Sequence, residues 1–548
     1  MSAGVVALVA APLAPVLYQS LLDRPLYESG ALFTLDNYAR LFGEARFFEV
    51  VGNSLLLATF STIIALTLGI GFALLLERAN LPFRKTLRNI ALSPMYISHL
   101  VIALAWFLMY GPSGYVTAFI EEMLGTAPWN LYTIGGMSIV AGVSSAPLVY
   151  LFCTSSAQLA DASLEDAGRS LGARPLRVIW SISLPLMRPA IIYSALLTFI
   201  GSLELLSIPL VFGRPVGLEF FTTFLYSQGL GATRPDYGLV GAAAALLLAV
   251  ISVLLVLQSI LLRKAGRFVT VRGKASRPKT TDLGPLRWLA SALIVLYFVI
   301  VLVIPLGGIA LRSVTSFLTP EISPFELLTL DNFALIFQYP AYVRSIINSL
   351  FIATVGAALA TAFVALVALV THRSDFPLRK PLQYVALYPR AVPGIVAGIG
   401  LFWATLMLPF MQVLQGTIFI LMIAFTMRTI PVAFGAISPA LVQIGQELDK
   451  SARSSGADWW TAVTRIILPL LRPAMFSSYV LLFLAFIKEY ASAAFLYAPG
   501  SEIIGTTMLS FWANGDSGPV AALSVIQVVL IAVFVVFARG ALRSHRDV

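Results

Sequence analysis

Twelve apolar runs, each roughly long enough to cross a bilayer, constrain this chain more than any other feature. A spanning helix needs about 20 predominantly apolar residues. Such runs fall at 3–22, 53–76, 89–110, 133–153, 188–212 and 238–262. After a basic segment they resume at 286–311, 348–370, 384–410, 414–436, 473–497 and 519–538. Composition agrees. Hydrophobic residues make up 59% of the 548 positions and charged ones 11%, with a mean hydropathy of +0.89. An ordinary soluble domain is about 45–50% apolar and about 25% charged. The expected fold class is an all-α integral membrane protein with about 12 transmembrane helices. No basic residue precedes the run at 3–22, so it lacks the positive region of a signal peptide and is read as a retained helix.

The net charge of +10 does not point to nucleic acid, because no basic face interleaved with aromatics accompanies it. Lys and Arg instead collect in alternate loops, as cytoplasmic loops do. Arg78, Arg84, Lys85 and Arg88 lie between the second and third spans, and Arg169, Arg174, Arg177 and Arg188 between the fourth and fifth. Arg263, Lys264, Arg267, Arg272, Lys274, Arg277 and Lys279 follow the sixth. Arg373, Arg379 and Lys380 match the first group, and Arg539, Arg543 and Arg546 close the chain. Both termini are therefore expected in the cytoplasm, with membrane lipid around the spans. Arg24, Arg40, Arg46 and Arg344 fall on the opposite side, mixed with acids.

The two sets of six spans are copies. Thr34-Leu35-Asp36-Asn37 recurs as Thr329-Leu330-Asp331-Asn332, and Asn53-Ser54-Leu55 as Asn348-Ser349-Leu350. Pro82-Phe83-Arg84-Lys85 matches Pro377-Leu378-Arg379-Lys380, and Pro94 matches Pro389. All are 295 positions apart. Leu164, Arg169, Ser170, Gly172, Ala173, Ile182, Leu184, Pro185, Leu186, Arg188, Pro189 and Ala190 recur 284 positions later. The difference, 295 − 284 = 11 residues, falls between the third and fourth spans, where the loop at 111–132 has almost no counterpart near 411–413. The halves share one topology, so they are parallel repeats, with a pathway expected between them. The expected organisation is a domain at 1–263, a cytoplasmic linker at 264–285 and a second domain at 286–548.

The strongest polar islands are the paired loops 161–187 and 445–471. In the first, Ser163 and Asp166 form a capping-box-like start, and Leu164, Ala167 and Leu171 share a helical face. Gly172 ends that helix and Pro175 opens another, on which Leu176, Ile179 and Ser183 share a face. Pro185 is expected to stop it, and Pro189 to sit in the first turn of the next span. The result is a helix–glycine–helix knob able to dock into a groove on a soluble partner. A lone copy reads equally well as an interfacial amphipathic helix. Two copies at equivalent places favour two identical docking sites, and so a dimeric partner.

These loops resemble the EAA loop of binding-protein-dependent ABC importer permeases: acid-Ala-Ala, three residues, Gly, and later Leu-Pro. The pattern falls on Asp166-Ala167-Gly168, Gly172 and Leu184-Pro185, and again on Lys450-Ser451-Ala452, Gly456 and Leu468-Pro469. The second copy departs from it, with Lys450 in place of the acid and Asp449 one step earlier. The resemblance implies a type I ABC importer permease fold, with two permease domains fused. It implies that each loop is a coupling helix held by a homodimeric cytoplasmic ABC ATPase. It also implies alternating access, a periplasmic or lipid-anchored substrate-binding protein, and residence in the bacterial inner membrane.

The chain is not expected to hydrolyse ATP. Gly266…Gly273-Lys274-Ala275 has the wrong spacing and ends in Ala, whereas a phosphate loop needs four spacers and then Gly-Lys-Ser/Thr. No cofactor is expected on this chain; ATP and magnesium belong to the partner. Cys153 is the only cysteine, and His99, His372 and His545 are scattered, so no zinc site or catalytic constellation is expected. Cys153 is read as a packing or lipid-facing residue, and His372 as a loop residue.

Intramembrane charges are functional hypotheses. Glu204 and Glu489 lie in the fifth and eleventh spans, with Lys488 beside the latter. As two carboxylates on one route they suit a hard cation such as ferric ion, which takes oxygen ligands. Alternatively Glu489 pairs with Lys488 or a neighbouring helix, and Glu204 bonds a nearby hydroxyl. Arg428 is expected to snorkel near a span end, and Arg390 to lie near the inner face. The linker FVTVRGKASRPKTTDLG and the run KEYASAAFLYAPGSE resemble the ferric iron permeases. Fused thiamine permeases share the layout, as do relatives for phosphonates or sugar phosphates. A channel or secondary transporter would also show parallel halves, but would have no use for two matched knobs.

Overall fold

The computed structural model describes residues 2–159, 167–168, 170–263, 282–319, 321–374 and 376–544. Those residues are overwhelmingly helical, and pairing between extended segments is limited to two isolated bridges, Leu22 with Phe33 and Thr315 with Leu328. Among the described residues, ten helices are long and apolar enough to cross a membrane. A bent pair, Arg379–Ala391 with Gly394–Met407, and the shorter apolar helix Gly4–Ser20 complete the twelve expected positions.

The third span of each repeat is not the continuous helix expected at 89–110 and 384–410. Arg84–Leu92 gives way to a 3-10 turn at Ser93–Tyr96, and the helix restarts at His99–Tyr110. Arg379–Leu387, Tyr388–Ala391 and Gly394–Met407 repeat this, with a 110° bend. Pro94 and Pro389 each open the 3-10 turn. A proline lacks the N–H that an α-helix needs and clashes with the carbonyl four residues back. Ser98 caps the restarted helix, its Oγ accepting from Leu100 N at 3.2 Å.

The chain forms two compact units. One comprises Met1–Leu41, Gln228–Leu248 and Leu330–Val548. In it the Ser2–Ser20 helix packs on Gly394–Met407. The approach is backbone to backbone: a Cβ on Gly400 would lie 1.9 Å from the Pro12 carbonyl oxygen. Ile418–Gln443 packs on both Leu468–Lys488 and Ala357–Arg373. The buried Trp403 meets Tyr237 edge to face, with centroids 6.0 Å apart.

The other unit comprises Phe42–Ser227 and Ala249–Thr329. Its centre is Ala45–Arg78 against Ile134–Leu159. Small residues allow the contact, since a Cβ on Gly69 would lie 2.5 Å from Val149 Cβ. Cys153 is fully buried in this core beside Leu76, Val149 and Tyr150. Leu286–Phe298 and Ile304–Ser313 lie in the same unit. Trp106 Nε1 donates to the Val301 carbonyl at 3.3 Å and the Tyr110 hydroxyl to that of Ile300 at 3.0 Å. Each unit therefore joins the first span of one repeat to the third span of the other. The sequence halves are the units of repetition, and the units of packing are drawn differently.

The duplication extends to single hydrogen bonds. Asn53 Nδ2 donates to the Glu219 carbonyl at 3.1 Å, and Asn348 Nδ2 to those of Gly500 at 3.1 Å and Glu502 at 2.9 Å. Ser54 Oγ accepts from Phe221 N and Ser349 Oγ from Ile504 N, both at 2.8 Å. The repeated Asn-Ser pair thus anchors the turn that starts the short buried helices Phe221–Tyr226 and Ile504–Ala513.

Candidate functional site

The repeated polar loops adopt the same turn in both copies. Ala173 N donates to the Gly168 carbonyl at 3.0 Å, and Ala457 N to the Ala452 carbonyl at 3.1 Å. This six-to-one bond is the C-terminal closure of a helix that ends in a left-handed residue. Gly172 has φ +81° and Gly456 φ +90°. A Cβ on either would meet nothing within 4 Å, so the backbone angle alone calls for glycine. In the second copy the leading helix is Gln446–Ser454, with Ser451 exposed and Ala452 half-buried. In the first copy Ala167 is exposed and Gly168 half-buried. Ser163, Leu164, Asp166 and Arg169 lie outside the described residues, as does the side chain of Lys450. Asp458 caps the return helix, accepting from Thr461 N at 3.0 Å. The Thr461 hydroxyl and nearby backbone N–H groups hold its carboxyl below the usual range.

Pro185 does not stop the return helix, contrary to expectation, and neither does Pro469 in the second copy. Pro175–Val178 passes through a π turn at Ile179–Ser183 into Leu184–Leu203. Trp459–Ala462 passes likewise through Val463–Ile467 into Leu468–Lys488. Leu184 N bonds the Ile179 carbonyl and Leu468 N that of Val463, five residues back. The widened turn relieves the contact that a proline ring makes with the preceding turn.

The second span of each repeat ends in a buried ionic junction that sequence reasoning missed. Arg373 pairs with Asp449 at 3.1 Å, with 3% of the arginine side chain exposed. Glu77 is fully buried and pairs with Arg84 and Arg88. It also accepts from the Tyr150 hydroxyl at 3.0 Å and from Gln158 Nε2 at 2.8 Å. Arg84 and Arg88 are near neighbours of Glu77 in sequence, but Asp449, Tyr150 and Gln158 stand 76, 73 and 81 residues from their partners, so no local pattern announces those contacts. His372, expected in a loop, lies in the Ala357–Arg373 helix, its Nε2 2.6 Å from Ser438 Oγ.

The membrane carboxylates occupy matching helix ends. Glu204 is the C-cap of Leu184–Leu203 and Glu489 that of Leu468–Lys488. Glu489 forms an ion pair with Arg428 and accepts from Ser492 N and Oγ, both at 3.1 Å. Arg428 does not snorkel at a span end. It sits inside Ile418–Gln443, where a carboxylate on the neighbouring helix neutralises it. Its guanidinium rests over Gly394, where a Cβ would approach Nη1 to 2.7 Å. Arg390 falls in the 3-10 break of the third span. Among the described residues, no three His, Cys, Asp or Glu side chains group as a metal site.

Duplicated spans, paired helix–glycine–helix loops and charges at matching ends of the spans define a multi-pass membrane permease. The chain belongs to the family described as the binding-protein-dependent transport system inner membrane component, which it matches over residues 65–267 and 365–544. The ferric transport system permease protein FbpB of Actinobacillus pleuropneumoniae is 28% identical over 516 residues, covering 93% of this chain and 74% of that protein. A protein assigned as a ferric transport permease in Haemophilus influenzae is 28% identical over 483 residues, covering 87% and 75%. A bacterial ABC transporter involved in import of the acidic polysaccharide alginate aligns over 47% of this chain and 96% of its own, at 21% identity and a TM-score of 0.38.

Proposed function

We propose that this chain is the membrane-spanning subunit of an ATP-driven importer that moves ferric iron into the cytoplasm. The observation that carries the coupling half of this reading is the matched turn at Gly172 and Gly456. Two equivalent protruding loops suit a symmetric cytoplasmic ATPase dimer, which supplies ATP and magnesium. Asp166, Ala167, Gly168, Gly172 and Pro185 form one docking loop; Lys450, Ser451, Ala452, Gly456 and Pro469 form the other. The iron half rests on ferric permeases that align with 93% and 87% of the chain. An extracytoplasmic binding protein delivers the cargo, and alternating access carries it past Glu204 and Glu489. The basic loops then face the cytoplasm, and so do both termini.

The test is co-purification from native membranes followed by uptake. Tagged chain brings down an ATPase subunit, and vesicles loaded with ATP take up radioactive iron presented on the purified binding protein. Absence of an ATPase sinks the importer reading. A binding protein that carries thiamine, a phosphonate or a sugar phosphate, by mass and metal analysis, replaces iron and leaves the importer standing.

A further inference from the structure

Arg373 closes the Ala357–Arg373 helix and joins it to three further elements, two through its guanidinium and one through its backbone carbonyl. Nη1 donates to Asp449 Oδ2 at 3.1 Å, and Asp449 belongs to the Gln446–Ser454 coupling helix. Nη2 donates to the Leu441 carbonyl at 2.7 Å and to that of Ile444. Those two carbonyls end the Ile418–Gln443 span, where helix carbonyls lack internal partners. The Arg373 carbonyl accepts from Trp459 Nε1 at 3.0 Å, the residue that opens the return helix. A buried cation stands only where its donors are used. A planar fork also fixes direction in a way that an ammonium cannot.

The displaced acid fits this geometry. A shift of one residue turns a side chain about 100° around a helix. Asp449 stands one step before Lys450, and its carboxylate is directed at the body of the protein, to Arg373. The first repeat ties the corresponding junction through an acid. Glu77 occupies the position equivalent to His372, and its carboxylate holds Gln158 and Tyr150 near the end of the fourth span. Both junctions link the second span to the fourth, and the second one includes the coupling helix itself.

We propose that Arg373 is the positioning residue through which the second coupling helix drives the second and fourth spans of its repeat, with Asp449 as its contact on that helix. This rests on the coupling reading above. The test uses the full complex in lipid vesicles, with ATP hydrolysis measured with and without loaded binding protein. Wild-type chain that captures no ATPase refutes the coupling reading before any variant is scored. Given wild-type stimulation, Arg373→Gln captures the ATPase to within about twofold but loses about tenfold of the stimulated hydrolysis and uptake, one decade being 1.4 kcal/mol of lost coupling. Asp449→Asn, which keeps an acceptor for the fork, loses less, and Arg373→Lys falls between. Unchanged stimulation in Arg373→Gln and Asp449→Asn overturns the proposal. So does loss of ATPase capture in Asp449→Asn, which makes the acid a docking contact. Should Arg373→Gln fail to insert, the graded stimulation ratio of Arg373→Lys and Asp449→Asn decides.

Discussion

Arg344 holds Glu502 in a parallel fork, Nε to Oε2 at 3.0 Å and Nη2 to Oε1 at 3.1 Å. Arg46 holds Glu219 in the same way in the other repeat, at 2.8 and 2.7 Å. Each fork clamps the turn that the Asn-Ser pair also grips. Burial alone would raise the Glu502 carboxyl, but the Arg344 hydrogen bond and backbone N–H groups outweigh it and leave the carboxyl below its usual value. A depressed carboxylate stabilises the fold above its unfolded value, about 4.3, and that contribution is lost as pH falls through the folded value. The protection factors of amides 503–507, taken after the intrinsic pH dependence of exchange is divided out, should therefore be flat from about pH 8 to 5 and fall below about 4. Glu502→Gln should remove most of that acid response. An unchanged acid response in the variant assigns it to another group.

Much of this architecture is legible in the sequence because hydropathy and duplication are both local signals. Each of the twelve apolar runs overlaps a helix, although the third span of each repeat is broken and the fifth and eleventh helices end at Leu203 and Lys488, and the repeat offsets of 295 and 284 carry over to matching hydrogen bonds at Asn53 and Asn348 and at Ala173 and Ala457. The glycine turns were legible because a left-handed residue at a helix end has few substitutes. The ionic junctions were not. Arg373 reads as one more positive loop residue until the fold brings Asp449 to it. Pro185 departs from its local signal because a π turn accommodates proline without ending the helix. The exchange of first spans between units has no sequence signature, since any apolar helix can pack on another until close-approach glycines such as Gly400 select the partner.

The glycine turns give a graded prediction. A non-glycine residue in the left-handed region costs about 1–2 kcal/mol, and Asn tolerates it best. Space is open around both positions, so only the backbone angle is penalised. Gly456→Asn should retain most ATPase-coupled uptake, Gly456→Ala less, and Gly456→Val least, with equal membrane levels. Equal activity across the series means that the turn does not shape the docking loop.

Gly400 and Gly398 make the opposite prediction, where space decides. A Cβ at Gly400 would overlap the Pro12 carbonyl at 1.9 Å, and one at Gly398 that of Ser492 at 2.4 Å. Neither neighbour is a flexible side chain. Gly400→Ala should separate Ser2–Ser20 from Gly394–Met407 and destabilise the unit by about 2–3 kcal/mol, as overpacking does. A cysteine pair bridging the Pro12 and Gly400 region should cross-link in wild type and fail in the variant. Undiminished cross-linking in Gly400→Ala refutes the close approach.

The Arg428–Glu489 pair gives the sharpest test of what the membrane charges do. Removing one partner of a fully buried pair costs about 3–5 kcal/mol, and the half-buried Arg428–Glu489 pair should lose less than that, whereas removing both partners together is far cheaper. Arg428→Met and Glu489→Gln should each lower the thermal stability of the purified protein, and the double variant should recover most of it. Stability and transport then separate two roles. If the pair only braces Ile418–Gln443 against Leu468–Lys488, uptake recovers with stability in the double variant. If Glu489 contacts the cargo, stability recovers and uptake stays low. Glu204→Gln supplies the comparison from the other repeat, because Glu204 is the matching C-cap. Loss of uptake in Glu204→Gln, together with a stable but inactive double variant, places both carboxylates on the route. Full uptake in Glu204→Gln and in the double variant removes them from it.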